Sequence, residues 1–291
     1  MKISVITDEV SADLETALEL CKAWGIEAVE LRGIGEQRYP NVSDFWRERV
    51  PELVRGFGFS VAALSPGLFK IPYPRPIHPD TQILRWEDAL LFQRKQSAEE
   101  LVRFHLEELL PSSILAAKQL GADTIVCFSF DRGSEVDPET PAPQAVIDVL
   151  KEAARLVGQA DLTLALEVEH ICWGDTGYRT AQIIERVAQP ALGINWDPAN
   201  AYRAGEDRPY PDGYAAVREH VRHVHFKDAR SDPVTGQRRF VFDGVVDWKS
   251  QIEALKRDEY AGYISVETHA RPKVEMARRT IERLRALIEE A

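Results

Sequence analysis

A chain of 291 residues with 44% hydrophobic side chains has enough apolar material for one large core. Its 47 acidic and 36 basic residues leave a formal net charge of −11. An acidic surface repels phosphate, so nucleic acid and anionic membranes are disfavoured as partners. No apolar run reaches the roughly 18 to 20 residues of a membrane span, and the segment MKISVITDEV lacks a signal-peptide core. We therefore expect a cytoplasmic protein.

The cysteines also favour a cytoplasmic protein. Cys21, Cys127 and Cys172 are odd in number, widely spaced and include no C-x-x-C pair. Such a set favours neither a disulfide framework nor a structural zinc site. We expect reduced thiols, with Cys127 in the core.

Short β-branched segments alternate along the chain with longer amphipathic segments. The predicted strands are 3–6, 28–31, 59–64, 124–128, 162–166, 192–196, 221–226 and 263–266. The predicted helices follow them at 14–21, 45–54, 101–120, 145–157, 181–187, 214–217, 248–255 and 274–287. This strict alternation predicts an α/β fold, a (β/α)8 TIM barrel that forms a single domain over residues 1–291. A doubly wound sheet is the alternative, but it usually carries a glycine-rich loop where this chain has Thr7-Asp8-Glu9.

Two predicted connections are longer than the others. The segment 65–96, after the third strand, contains five prolines and several aromatic residues, and its part from Asp80 is compatible with a helix. A lid over the active face and a packing arm in a homo-oligomer are equally open interpretations of this segment. The segment 229–246, after the seventh strand, contains Asp232-Pro233 and Thr235-Gly236 as turn signals, which predicts a small hairpin.

Polar side chains recur where the last four predicted strands end. Glu167 follows Leu-Ala-Leu, Asp197 follows Gly-Ile-Asn-Trp, His225 lies in His-Val-His-Phe, and Glu267 follows Ile-Ser-Val. In a barrel these positions face one centre at the carboxyl ends of the strands. Three carboxylates and an imidazole would repel one another and lose hydration there unless a cation joined them. The set predicts one divalent metal ion, Mn2+, Mg2+, Co2+ or Zn2+, because oxygen and nitrogen ligands suit these ions.

Further polar residues lie near the same strand ends. Lys227, one step outward from His225, could hold a substrate oxygen or pair with Asp228 or Glu267. For Glu169, one step outward from Glu167, a substrate role is favoured over metal ligation. His223, deeper in the barrel, is interpreted as buried and hydrogen-bonded. The cations that could contact an anionic group, each of which could also be a surface charge, are Arg32, Lys70, Arg132, His170 and Arg271.

These motifs resemble the xylose isomerase-like TIM barrels, also called sugar phosphate isomerases/epimerases. The resemblance spans nearly the whole chain, through Thr7-Asp8-Glu9, Val29-Glu30-Leu31-Arg32, Leu166-Glu167-Val168-Glu169-His170, Asn195-Trp196-Asp197-Pro198-Ala199-Asn200, His223-Val224-His225-Phe226-Lys227-Asp228, and Gly262-Tyr263 to Glu267-Thr268-His269. It implies a four-ligand metal site on Glu167, Asp197, His225 and Glu267. Two departures bear on the substrate more than on the metal: Val168 where many members have Asn, and Asn200 where some have His.

The resemblance implies a metal-dependent isomerase or epimerase whose substrate is a sugar, a sugar phosphate or a related polyol or keto acid. Glu167 and Glu267 would transfer protons through a metal-stabilised enediolate. The expected substrate-binding residues are His170, Asn200, Lys227 and Arg32. The alternatives are a dehydratase of the same fold, such as an inosose dehydratase-like enzyme, and a sugar-binding barrel without turnover. An apurinic-site endonuclease is disfavoured, because it needs a histidine-rich multi-metal centre and a surface that binds DNA.

Overall fold

A computed structural model describes residues 1–75 and 97–291 of the chain. Eight parallel strands pair in sequence order, and the last pairs with the first, so that the sheet is a closed barrel. The strands are β1 Lys2–Ile6, β2 Ala28–Leu31, β3 Ser60–Leu68, β4 Thr124–Cys127, β5 Thr163–Glu167, β6 Leu192–Trp196, β7 Val221–Phe226 and β8 Tyr263–Val266. The closed barrel confirms the predicted (β/α)8 architecture.

The strands are recognisable in the sequence because most of them are buried on both faces. Every residue of β4 and β6 is buried, since one face fills the barrel interior and the other packs against helices. Neighbouring strands also end at similar heights: Glu167 of β5 pairs with Asn195 of β6, and His225 of β7 pairs with Ser265 of β8. This register brings the carboxyl ends of β5 to β8 to one level.

Helices surround the barrel and connect its strands. They are Thr7–Val10, Leu14–Ala23, Asp44–Phe57, Ala98–Phe104, Leu110–Leu120, Gln144–Gln159, Gly177–Val187, Pro198–Arg203, Tyr214–Val217, Trp248–Arg257 and Lys273–Glu290. Short π-helical or 3-10 turns lie at His105–Leu109, Pro209–Gly213 and Arg218–His220. Two of the helices end at Gly58 and Gly121, whose φ angles of 74° and 67° suit glycine because it has no Cβ. Within the described residues, no helix is long and apolar enough to cross a membrane.

Some boundaries differ from the sequence prediction. β3 continues to Leu68, so the long connection begins at Phe69 and not at Ser65. The helix expected from Asp80 and most of the expected lid or packing arm lie outside the described residues. The helix Pro198–Arg203 was not predicted, because six residues are too few to show a helical period. A small ribbon of Gly33–Ile34 and Gln37–Arg38 is likewise additional.

The hairpin predicted after the seventh strand is present. Asp228–Ser231 pairs antiparallel with Arg238–Val241, and we refer to this hairpin as the 228–241 ribbon. Hydrogen bonds that include the following two fasten it to the helix Pro198–Arg203. Arg238 donates to the carbonyl oxygen of Tyr202 at 2.5 Å, and the Tyr202 hydroxyl lies 2.9 Å from Ser231 Oγ. The ribbon therefore lies over the carboxyl end of β6.

Candidate metal centre

Four predicted ligands come together at the carboxyl end of the barrel. Glu167 is the last residue of β5, Asp197 and Glu267 directly follow β6 and β8, and His225 is the fifth residue of β7. All four are buried, with at most 4% of their surface exposed. One ligand atom from each residue lies within 4.8 Å of the others. Nδ1 of His225 is 3.5 Å from Glu167 Oε1, 3.9 Å from Asp197 Oδ2 and 3.3 Å from Glu267 Oε2.

These separations fit one divalent ion. Ligand atoms that each lie about 2.0–2.2 Å from an ion stand roughly 3–4 Å from one another, which is the separation of His225 Nδ1 from each of the three carboxylates here. Three buried carboxylates in such proximity also need a cation to offset their repulsion and lost hydration. The three oxygens and one nitrogen suit Mn2+, Mg2+, Co2+ or Zn2+. The residues present therefore fit the predicted metal.

A buried carboxylate orients the histidine of this centre. Nε2 of His225 lies 3.2 Å from Glu30 Oε1, and Nε2 of His223 lies 2.8 Å from Glu30 Oε2. Glu30 also accepts from Ser65 Oγ. A proton on Nε2 of His225 can be donated to Glu30, which leaves the Nδ1 lone pair directed at the three carboxylates. In the sequence Glu30 appears only within a family motif; the signal for its role was an acid inside the fully buried strand Ala28–Leu31.

The pKa values of the side chains in the centre are shifted because several carboxylates lie close together. Burial opposes a charge on His225, but the carboxylates of Glu30, Glu167 and Glu267 raise its pKa well above the ordinary value. For Asp197, burial and the negative charges of Glu267 and Glu167 outweigh the effect of Lys227 and raise its pKa to about 6. Both shifts have the same cause, an excess of negative charge in a dry site. A divalent cation would relieve that excess.

Lys227 and Arg32 both contact ligand carboxylates. Nζ of Lys227 is 2.7 Å from Asp197 Oδ2 and also contacts Glu267 Oε2. Of the two ion pairs considered from the sequence, the one with Glu267 is present, and Asp197 takes the place of Asp228. The Arg32 guanidinium contacts Glu267 Oε1 and lies 2.5 Å from Glu9 Oε1. Two cations therefore flank Glu267, one at each of its oxygens.

Asn200 contacts the proposed ligand carboxylates, whereas His170 lies away from them. Nδ2 of Asn200 is 3.2 Å from Glu167 Oε1 and 3.1 Å from Asp197 Oδ2, so the amide bridges two ligands. His170 contacts none of the four ligands; its Nδ1 lies 2.5 Å from Glu169 Oε1. Glu169 also binds Lys70 at 2.5 Å. Lys70 and His170 thus occupy both oxygens of Glu169, and its favoured role at the substrate stays a prediction.

The remaining predicted residues lie outside the cluster. Arg132 pairs with Asp175 at 2.7 Å, and Arg271 is exposed. His223 is buried and hydrogen-bonded, as predicted; besides Glu30 it contacts Ser265 Oγ at 3.0 Å. None of the three reaches a ligand carboxylate of the four-residue centre in the structure.

Two side chains at the mouth, Phe240 and His269, were given no role from the sequence. The ring of Phe240, from the 228–241 ribbon, stacks on His269 at 5.0 Å, lies 4.8 Å from Lys227 Nζ and meets the His170 ring edge-on at 6.1 Å. Nε2 of His269 is 3.1 Å from Glu267 Oε1. No period or motif reveals that a hairpin residue such as Phe240 turns towards the barrel, because only the docking of the ribbon directs it there.

Two other groups combine acidic and histidine side chains, but neither forms a second metal site like the four-residue centre. Glu30, His223 and His225 already make direct hydrogen bonds, at 2.8 and 3.2 Å, which leave no room for an ion between them. In the other group, Glu9 and Glu267 both pair with the Arg32 guanidinium, and His269 contacts the same two carboxylates. The four-residue centre is thus the best-formed candidate among the described residues.

Several solved structures share this fold. The probable 3-DHS dehydratase AsbF of Bacillus anthracis is 19% identical, with 98% of this chain and 99% of that chain covered and a TM-score of 0.67. An L-ribulose 3-epimerase is 18% identical, with 100% and 95% covered and a TM-score of 0.69. A xylose isomerase-like TIM barrel protein of Mycobacterium smegmatis, solved in complex with magnesium, is 17% identical, with 97% and 91% covered and a TM-score of 0.68.

At these identities the likeness shows the fold alone. No curated protein matches the chain. A family model does: the model described as xylose isomerase-like TIM barrel matches residues 18–287, which includes all four residues of the candidate metal centre. The chain therefore belongs to the xylose isomerase-like TIM barrel family.

Proposed function

We propose that the chain is a metal-dependent isomerase or epimerase that acts on a sugar, a sugar phosphate or a related polyol or keto acid. The observation that carries the proposal is the buried centre in which four ligand atoms lie within 4.8 Å of one another. A divalent ion held by these residues would polarise a substrate carbonyl and acidify the neighbouring C–H bond. What then remains is proton transfer, which carboxylates perform well.

Glu167 and Glu267 are the proposed proton-transfer groups. They stand at opposite ends of the arc of ligand-bearing strands, on β5 and after β8, so they approach a substrate from different sides. One carboxylate removes a proton from the carbon beside the carbonyl. Return of a proton to the other face of that carbon is epimerisation, and its return to the adjacent carbon is isomerisation. Lys227, Asn200, Arg32 and His170 are the proposed groups for binding substrate oxygens.

The proposal is tested by proton exchange. The Mn2+-loaded protein is incubated in D2O with a panel of ketoses, inososes and keto acids, and deuterium incorporation is followed by NMR. We expect exchange at a carbon next to the carbonyl of at least one class of compound, and its loss when the metal is removed with a chelator. Stoichiometric metal binding without any exchange would instead indicate a sugar-binding barrel without turnover.

A dehydratase is the second candidate, and the unequal surroundings of the two glutamates favour it over an epimerase. Burial opposes the charge on Glu267, but Lys227, His269 and His225 hold its pKa well below the ordinary value. Apart from His225, Glu167 meets the neutral amides of Asn195 and Asn200. One effective base suffices, because the carboxyl group that takes the proton from carbon can return it to the β-hydroxyl, which leaves as water while the C=C double bond forms. A new vinylic signal in the same NMR experiment would identify this reaction.

A further inference from the structure

Arg203 differs from the other cations at the mouth of the barrel. Lys227, Arg32 and Lys70 each make an ion pair with a carboxylate within 3 Å. Arg203 has no such pair among the residues that the structure describes. Its Nε donates to the carbonyl oxygen of Arg238 at 3.3 Å. Neither of its Nη nitrogens has an acceptor among those described residues. Within residues 1–75 and 97–291, four N–H donors of this half-buried guanidinium are therefore left without an acceptor.

The position of Arg203 follows from the helix that carries it. Asp197 caps the helix Pro198–Arg203, and Asn200 and Arg203 follow at intervals of three residues. Residues three apart lie on one face of a helix, so the metal ligand, the bridging amide and the guanidinium form a row. Burial lowers the pKa of Arg203, and the nearby carboxylates of Glu169 and Asp197 partly offset that shift, so the guanidinium lies within reach of the centre's negative charge.

Phe240 holds the guanidinium in place. Cζ of Arg203 lies 4.3 Å from the centroid of the Phe240 ring, and Nζ of Lys227 lies 4.8 Å from the same centroid. A planar guanidinium packed against an aromatic ring keeps its in-plane N–H groups free to bind a second partner. The ring thus fixes Arg203 at the rim, and Lys227 lies between the ring and the metal ligands.

We propose that Arg203, held against Phe240, binds an anionic group of the substrate, a carboxylate or a phosphate, while the oxygens at the other end of the substrate lie at the metal centre. The inference rests on the proposed function and adds a charge to its substrate. An anion entering this acidic mouth needs a cation that is not already neutralised, and Arg203 meets that need. Its paired Nη groups match the two oxygens of a carboxylate or phosphate.

The test compares charged and neutral members of two matched pairs of compounds. They are D-ribulose 5-phosphate with D-ribulose, and shikimate with methyl shikimate, each titrated calorimetrically into the Mn2+-loaded protein. We expect the charged member of at least one pair to bind at least tenfold more tightly. Preference in the first pair alone identifies a phosphate as the partner, and preference in the second alone identifies a carboxylate.

Three variants test whether Arg203 causes the tighter binding of the charged compound. Arg203→Gln should abolish it and leave the affinity for the neutral member within about twofold, whereas Arg203→Lys should keep part of it because the charge remains without the fork. Arg239→Gln is the matched control: it removes one positive charge from the neighbouring, more exposed ribbon position, where Arg239 pairs with Asp232 at 2.7 Å. It should change neither affinity. Metal content and thermal melting are measured for every variant.

Two outcomes would overturn the inference. One is equal binding of the charged and neutral members by the wild-type protein. The other is an Arg203→Gln variant that keeps its metal and its fold and loses affinity for both members equally. If deuterium exchange persists, neither outcome contradicts the proposed function. Conversely, a charge preference that depends on Arg203 in a protein without exchange would contradict the proposed function and support the anion site.

Discussion

The contact between Glu30 and His225 connects the barrel interior to the candidate metal centre. Glu30 is fully buried and shared by two imidazoles, and its pKa lies well below the ordinary value because His225 and His223 outweigh the effect of burial. A carboxylate in this position fixes the ring of a metal-binding histidine and increases its basicity. The affinity of the metal should therefore depend on a residue that does not touch it.

We expect Glu30→Gln to weaken metal binding by about tenfold to a hundredfold while the barrel remains folded. A competition titration with a chelator measures the affinity, and thermal melting monitors the fold. Glu27→Gln, at an exposed position on the same turn into β2, is the charge-matched control and should bind metal normally. Unchanged affinity in Glu30→Gln would mean that the orientation of His225 is set by other contacts.

Asp197→Asn separates the two tasks of Asp197. Its Oδ1 accepts from the backbone N–H of Asn200 at 2.9 Å, and an asparagine retains that cap. The variant loses a ligand charge, so we expect metal binding to fall by at least a hundredfold while the melting temperature of the metal-free protein is unchanged or raised. The rise is expected because one of several repelling carboxylates is removed. Elemental analysis and melting curves decide; unfolding of the variant would show that Asp197 is structural.

Glu167→Gln and Glu267→Gln test the proton-transfer groups. Glutamine keeps an oxygen for the metal but does not accept a proton at neutral pH, so deuterium exchange should fall by about a hundredfold or more with little loss of substrate affinity. An epimerase should lose exchange with a different epimer in each variant. A 1,2-isomerase or a dehydratase should lose far more in one variant than in the other. If both variants exchange normally at full metal occupancy, the bases lie elsewhere.

At the scale of single elements, the π-helical segment His105–Leu109 supports the residue that follows β3. Nδ1 of His105 accepts the backbone N–H of Phe69 at 2.8 Å, and Phe69 has a φ of 65°, which is uncommon for a residue with a side chain. The ring of Phe69 packs on Phe130 at 5.1 Å. The histidine must be neutral to accept this hydrogen bond, and burial lowers its pKa to about 3.

This histidine predicts a pH dependence of stability. Between pH 6.5 and 3 the unfolded chain binds a proton at His105 and the folded chain does not, so the stabilisation is complete above pH 6.5 and is lost as the pH falls. We expect the free energy of unfolding of the wild-type protein, relative to that of His105→Gln, to fall by roughly 1.4 kcal/mol for each unit by which the pH decreases within this window. Urea unfolding from pH 7 to pH 5 measures it. His220→Gln, at a half-exposed position, is the control, and an equal slope in both variants would contradict the prediction.

The elements also show what a sequence can and cannot predict. The barrel strands were predictable because burial on both faces makes them short apolar runs, and the clustering of the four proposed ligands was predictable because each lies at or next to the end of such a strand. The helix Pro198–Arg203 is shorter than two turns, so its sequence carries no period. Phe240 and Arg203 become neighbours only when the 228–241 ribbon docks, and that contact depends on tertiary packing.

For the molecule as a whole, the cysteines provide a measure of cooperative opening. Cys21, Cys127 and Cys172 are free and fully buried, and of the three Cys127 was assigned to the core from the sequence. Burial raises the pKa of all three thiols, that of Cys21 to about 12. Only the thiolate reacts readily, so reaction with a disulfide reagent requires the structure to open.

We expect three thiols to react at once in denaturant and none on the same timescale in the native protein, with native rates lower by at least about a thousandfold. Absorbance of the released thiolate follows the reaction, and peptide mapping assigns each site. Equal rates for all three cysteines indicate global opening, and unequal rates indicate that part of the barrel opens first. Rapid labelling of a folded sample would contradict the burial described above.

The pairing of β1 with β8 makes the two ends of the chain interdependent. Nζ of Lys273 donates to the carbonyl oxygen of Asp8 at 2.6 Å, and Arg32 joins Glu9 to Glu267. During translation Glu9 and Arg32 leave the ribosome more than two hundred residues before Glu267, by about ten seconds or more at usual rates of synthesis. Throughout that interval the nascent chain presents at most three of the four ligands. Acquisition of the proposed metal by all four ligands would therefore have to follow the emergence of Glu267.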